Sequence, residues 1–406
     1  MELNENILLN KPRALRVMNE LGLDALMAVT PRNVYYLSGY QSDWLFDAMW
    51  VSCAIFSRNE DIPGTLIVHD VELTNLAEAP GWMPNLQVYY ARVCDSALPH
   101  YVVSEGYKLD PDDARAVELM EQTRPSASEG ILSAIKQAVL SLGLGKSCIG
   151  IDDVRLRDVL QPDLPQVRFS DAMAAFKNIR IVKTPAEQEI MREGARRNDR
   201  ALQRAFQAVG ENVTWAEVIR NYNLGVVEQD CMPFCVYVGA GPRSTGLRVN
   251  SEYLIRRGDQ LCFDAMMTYK RYFADIQRTC ILGSPSRKLE TYWKAVEAGI
   301  EAAYDMMRPG VTTGDLRETA IDTVRKSGIP TFRHAFIHGL GLEHLEVPTG
   351  HGELTGFLLE EGMIINMDLE VCEIGFGGTM FEETMLITAN GAERLTQIPR
   401  ELIRLN

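Results

Sequence analysis

A two-domain α/β (α+β) protein is predicted, on three observations. The 406-residue chain is longer than a single hydrophobic core usually supports. Its first part alternates short apolar runs with helical patterns, as an α/β domain does. Near residue 175 the character changes, to long amphipathic helices followed by glycine-rich strand signals.

The elements follow in order. KPRALRVMNELG has helical spacing and stops at Gly22. DALMAV, GTLIVH, LQVYYARV and SCIGI read as strands, and EGILSAIKQAVLSLG as the clearest helix between them. In NIRIVKTPAE, Thr184 and Glu187 have capping-box spacing and Pro185 sits at the first helical position. Domains are therefore expected at 1–175 and 176–406. Helical spacing predicts two long helices at about 185–208 and about 287–307. RPGVTTGDL closes the second at Pro309–Gly310 and opens another helix.

Composition narrows the function. Hydrophobic residues are 46% and charged residues 24%, the balance of a globular protein. A net charge of −14 leaves no basic stripe for nucleic acid and no attraction to anionic membranes. No apolar run is long enough to span a bilayer. MELNENILLNKPRALRV lacks a basic region followed by an apolar core, so no leader is expected. The eight cysteines lie in apolar contexts such as SCAIF and QLCFDA and read as free thiols of a reducing, cytoplasmic compartment. Cys231 and Cys235 have no second pair with which to build a zinc site.

The chemistry concentrates in the second half. LCFDAMMTYKRYFADIQRTCIL reads as a hairpin. Centred at Tyr269–Lys270, it would set Asp264 opposite Asp275, with Cβ atoms about 4.5–5.5 Å apart. GMIINMDLEVCEIGFGGTMFEETMLIT reads as a second hairpin, with Asp368 and Glu382 equally far from Gly375. Facing carboxylates in apolar strands repel one another, and a cation between them removes the cost. Four of the six histidines lie between Arg333 and His351: His334, His338, His344 and His351. Oxygen ligands with one imidazole suit Mn, Fe or Co, and Zn less specifically. Four carboxylates can neutralise two divalent ions, the arrangement of a two-metal hydrolytic centre.

IVKTPAEQEIMR, RRGDQLCFDAMMTYKRYFADIQRT, RPGVTTGDL, HGLGL, EEGMIINMD and FEETMLIT occur in that order. On these segments the chain resembles the pita-bread family of aminopeptidase P, prolidase, methionine aminopeptidase and creatinase. The resemblance spans the full length and implies a smaller creatinase-type α/β domain ahead of a pita-bread catalytic domain, and a homodimer. It implies one or two divalent ions (Mn, Fe, Co or Zn) held by Asp264, Asp275, His338, Asp368 and Glu382. Asp368 stands where the family has glutamate. Two substrate-binding histidines of the family's peptidases fall on Leu247 and Leu345, with His344 one residue before the second.

The expected activity is a metal-dependent hydrolase acting on a C–N bond of a small amino-acid-like or dipeptide-like substrate, Xaa-Pro peptidase-like without being a standard peptidase. Glu382 and His344 are the candidate proton carriers. Arg243, Arg248, His351 and Trp44 are candidate substrate contacts; Trp44 lies in the aromatic and acidic stretch GYQSDWLFDAMW. Glu383 should face away from Glu382 as a structural residue. The alternatives are a metallo-lyase of the same fold carrying out β-elimination and a metal-free, creatinase-like amidinohydrolase.

Overall fold

The computed structural model describes residues 7–42, 48–90, 103–106, 108–246, 252–349 and 356–406. Trp44, Leu247, Arg248 and His351 lie outside them. The chain divides into two compact units, Met1–Arg180 and Ile181–Asn406.

The first unit is a seven-stranded mixed sheet with helices. Its strands are β1 (Ala25–Ala28), β2 (Cys53–Ser57), β3 (Thr65–His69), β4 (Asn85–Tyr90), β5 (Ser128–Glu129), β6 (Cys148–Ile151) and β7 (Arg168–Asp171), in spatial order β5-β4-β3-β2-β1-β6-β7. Its helices are α1 (Lys11–Leu21), α2 (Pro31–Ser38), α3 (Leu73–Glu78), α4 (Pro111–Thr123), α5 (Ile131–Ser141), α6 (Arg155–Leu160) and α7 (Met173–Arg180). Position 175 lies inside α7, and the two units part after Arg180. Central β1 is buried along its whole length, as expected of a strand covered on both faces.

The second unit begins with α8 (Pro185–Gln207), capped by Thr184 and Glu187 in a complete capping box. It continues through α9 (Trp215–Val227), α10 (Arg287–Met306) and α11 (Thr313–Lys326). Four strands form one sheet: β8 (Met232–Ala240), β9 (Gln260–Tyr269), β10 (Tyr272–Leu282) and β16 (Ile403–Leu405), in order β16-β10-β9-β8. Five form another: β11 (Phe336–Gly339), β12 (Glu346–Thr349), β13 (Ile364–Glu373), β14 (Gly377–Thr388) and β15 (Gly391–Arg394), in order β12-β11-β13-β14-β15.

Strand alternation sorts the side chains of both sheets. Phe263, Ala265 and Ile276 join Leu202, Phe206 and Trp215 of α8 and α9 in one core. Met367, Leu369 and Phe381 join Trp293, Ile300 and Leu316 of α10 and α11 in another. Residues of the other parity, Asp264, Asp275, Asp368 and Glu382 among them, therefore face away from the helices. The sheets meet along β10 and β14: Thr384 Oγ1 donates to the Asp275 carbonyl (2.9 Å), and Thr279 Oγ1 to that of Met380 (3.1 Å). Apolar residues thus build two cores, and the acids are left in the seam between the sheets.

One expected register is corrected. β9 and β10 pair Tyr269 with Tyr272, so Asp264 lies opposite Gln277 and Asp275 opposite Met266. The turn is Lys270–Arg271, both with positive φ (46° and 69°), the geometry of a two-residue hairpin turn. The centre sits one residue beyond Tyr269–Lys270, and the two aspartates are diagonal neighbours, not opposite ones. The offset is even, so both stay on one face. In β13–β14, Asp368 lies directly opposite Glu382, as its spacing about Gly375 predicts.

Candidate metal centre

Asp264, Asp275, His338, Asp368 and Glu382 are all buried and converge at the seam. His338 Nε2 lies 3.5 Å from Glu382 Oε1, 3.9 Å from Asp368 Oδ1 and 4.0 Å from Asp275 Oδ2. Its Nδ1 is 3.1 Å from the Gly339 carbonyl. A proton on Nδ1 satisfies that carbonyl and leaves the Nε2 lone pair aimed at the acids. Asp264, Asp275 and Glu382 form a second close group, with a donor atom from each within 4.8 Å of the others.

His344 also reaches the site. Its Nε2 is 2.8 Å from Asp275 Oδ2. A regular strand running on from His338 would give positions 338 and 344 one facing, but the chain leaves β11 at Gly339 and pairs irregularly with β12. The intervening turn, tied by Phe273 N–H to the Gly341 carbonyl (2.8 Å), brings the ring back. Leu345, next to it, is 45% exposed.

The electrostatics are those of several carboxylates crowded into one buried space. Burial, then the neighbouring carboxylates, pushes Asp264 and Asp368 well above the ordinary carboxylate range. Burial and Glu382 do the same to Asp275, with His338 opposing. Burial would also raise Glu382, but its neighbours His338, Asp368 and Asn366 hold it lower. Asp275 Oδ1, Asp368 Oδ1 and Glu382 Oε2 are buried and accept no hydrogen bond. Bare buried carboxylate oxygens cost several kcal/mol in order of magnitude unless something positive meets them. This donor set fits divalent cations.

Arg243 is not among the converging residues. It is exposed, with its guanidinium 5.9 Å from the Tyr253 ring. Three residues unremarked in the sequence do belong here. Asn366 Nδ2 donates to Glu382 Oε1 (2.5 Å), and Gln277 Nε2 to Glu370 Oε1 (3.0 Å). Asn366 and Glu370 lie two residues either side of Asp368, and Gln277 two beyond Asp275. The period of two was the available signal. Glu383 faces the other way, in a fully buried ion pair with Arg278 (2.5 Å).

Residues 189–389 match the metallopeptidase family M24. The chain is 31% identical over 239 residues to an Xaa-Pro dipeptidase of Pyrococcus horikoshii, covering 58% of this chain and 68% of that protein. The chain belongs to metallopeptidase family M24. It is accordingly a metal-dependent hydrolase. It is also 28% identical over 396 residues to an Xaa-Pro dipeptidase of Pyrococcus furiosus, covering 96% of this chain and 98% of that one. The fold is shared with a prolidase from Pyrococcus horikoshii OT3 (TM-score 0.72, 23% identity, 98% of this chain and 100% of that one). It is shared too with an X-Pro aminopeptidase from Thermotoga maritima MSB8 (TM-score 0.75, 20% identity, 96% and 100%). The architecture of this M24 chain is thus the pita-bread fold. Among the described residues, no helix is long and apolar enough to cross a membrane.

Proposed function

We propose that the chain hydrolyses the C–N bond of a small dipeptide-like amide, with Xaa-Pro bonds the first substrates to try. One or two ions of Mn, Fe, Co or Zn would be held by Asp264, Asp275, His338, Asp368 and Glu382. The observation that carries this reading is the set of bare, buried oxygens on Asp275, Asp368 and Glu382 around the Nε2 of His338. Divalent ions in such a setting polarise a carbonyl and make water nucleophilic near neutral pH.

The chain's own residues divide the remaining work. Asn366 holds Glu382 by Oε1 and orients the carboxylate that would take a proton from the attacking water and return it to the leaving nitrogen. The Gly339 carbonyl orients His338 through Nδ1. The two Xaa-Pro dipeptidases above support the substrate class. A cytoplasmic homodimer is proposed on the family resemblance and the free buried thiols.

The test is a panel of Xaa-Pro dipeptides and other small amides in ¹⁸O-labelled water, with metal content measured on the same protein. Label in the new carboxylate, lost together with the metal in Asp275→Ala, is expected. An alkene product would mean elimination, and full activity in metal-free protein would overturn the reading.

A further inference from the structure

We propose that His344 is a metal ligand, completing a face of two imidazoles and one carboxylate with His338 and Asp275. The inference rests on the reading of the cluster as a metal centre and adds a donor, and a metal preference, to it.

Three observations lead there. First, the Nε2 atoms of both histidines approach the same oxygen, Asp275 Oδ2, at 2.8 Å from His344 and 4.0 Å from His338. Donor atoms of the three residues all lie within 4.8 Å of one another, a spacing that one ion can bridge. Second, Asp275 Oδ1 is buried and accepts no hydrogen bond. The imidazole on Oδ2 therefore leaves the carboxylate half-satisfied. Third, the ring is mounted for the task. The centroids of His338 and His344 are 5.6 Å apart at 71°. Phe273 and Phe234 flank His344 at 5.9 and 6.0 Å, and Phe336 stacks on His338 at 5.0 Å. The turn that carries His344 is pinned at its far end by Glu346, which pairs with buried Lys183 (3.1 Å) and accepts from Glu343 N–H (3.3 Å). Ligands held on such supports keep their geometry.

The consequence is a centre with two unlike faces. Asp264, Asp275 and Glu382 offer oxygen alone, which suits Mn or Mg. Asp275, His338 and His344 offer two nitrogens and one oxygen, which favours Fe, Co or Zn. Asp275 belongs to both groups.

The alternative is that His344 only donates a hydrogen bond to a ligand carboxylate. Affinity does not separate the two, since losing such an outer partner alone costs on the order of 10–100-fold. The imidazole count does. The full chain would be loaded with one equivalent of Co²⁺ and its X-ray absorption and visible spectra recorded, beside His344→Ala, His344→Gln and Asp275→Ala. Two imidazoles on the cobalt are expected in the wild type and one in both His344 variants, with a changed visible band. One imidazole in the wild type, unchanged in His344→Gln, would overturn the proposal while leaving the metal centre intact. Cobalt binding that survives Asp275→Ala undiminished would overturn both readings.

Discussion

The two acid-bearing hairpins reach one site by different registers. In β13–β14, Asp368 and Glu382 are directly opposite. In β9–β10, Asp264 and Asp275 are offset by two residues, and each faces an uncharged partner, Gln277 or Met266. Both arrangements deliver two carboxylates to the same seam. Convergence here depends on face parity, not on direct opposition. An even slip preserves the parity, and an odd one would turn every acid into a helix-packed core.

The largest effect should come from breaking the point where the hairpins meet. Asp275 and Glu382 each belong to two of the close ligand groups. Asp275→Ala or Glu382→Ala should lower kcat/KM by about 10³-fold or more, since bound ions contribute several kcal/mol of transition-state stabilisation. Elemental analysis should show metal lost with activity. The metal-free wild type should have a lower melting temperature than the loaded one, because binding to the native state stabilises it. Equal melting temperatures would count against a metal in this cluster.

Glu382 and Glu383 sharpen the contrast within one hairpin. They are neighbours on β14 but lie on opposite faces. Glu383 pairs with Arg278, both wholly buried, and accepts from Thr396 Oγ1 (2.5 Å). Glu383→Ala should destabilise the fold by about 3–5 kcal/mol, because it strands a buried guanidinium. Metal stoichiometry in the protein that remains folded should be unchanged. Denaturant unfolding reads the first effect and elemental analysis the second.

How far the sequence reaches follows from the same contrast. Glu382, Asp368 and the opposite facing of Glu383 are legible because glycines mark the β13–β14 loop and the period of two does the rest. The β9–β10 register differs by two from the pairing the sequence suggests, because Lys270 and Arg271 occupy positive-φ positions normally signalled by Asn or Gly. His344 was legible as a residue type but not as a facing, since that depends on an irregular turn between β11 and β12. Asn366, Gln277 and Glu370 carry no motif, and only the pairing shows what they touch.

The start of β10 gives a pH-dependent test. Tyr272, the residue after the turn, donates to Glu187 Oε1 (3.0 Å). Burial pushes Glu187 up from 4.5 to about 7, with Lys183 opposing. An acid raised in the folded state keeps a proton that the unfolded chain has released. Stability is therefore lost as pH rises from about 4.5, with the loss complete above about 7. At about 1.4 kcal/mol per unit, the contribution is a few kcal/mol at most. Glu187→Gln should flatten this part of the slope in denaturant midpoints measured from pH 4.5 to 8 at fixed metal. A variant that retains the wild-type slope would remove Glu187 as its source.

The smallest effect concerns the turn itself. Lys270 and Arg271 hold φ values that cost an L-residue on the order of 1 kcal/mol each, while asparagine and glycine adopt them readily. Part of the gain is returned, because glycine loosens the unfolded chain. Arg271 also gives up its contact with Met232 Sδ (3.6 Å). Lys270→Asn with Arg271→Gly should therefore raise stability by no more than roughly 1 kcal/mol. It should leave the Asp264–Gln277 register, and so metal content, unchanged, because it supplies the turn type already present. Loss of metal in this variant would mean that Lys270 and Arg271 set the register through their side chains, and that parity in this hairpin is held by contacts outside the ladder.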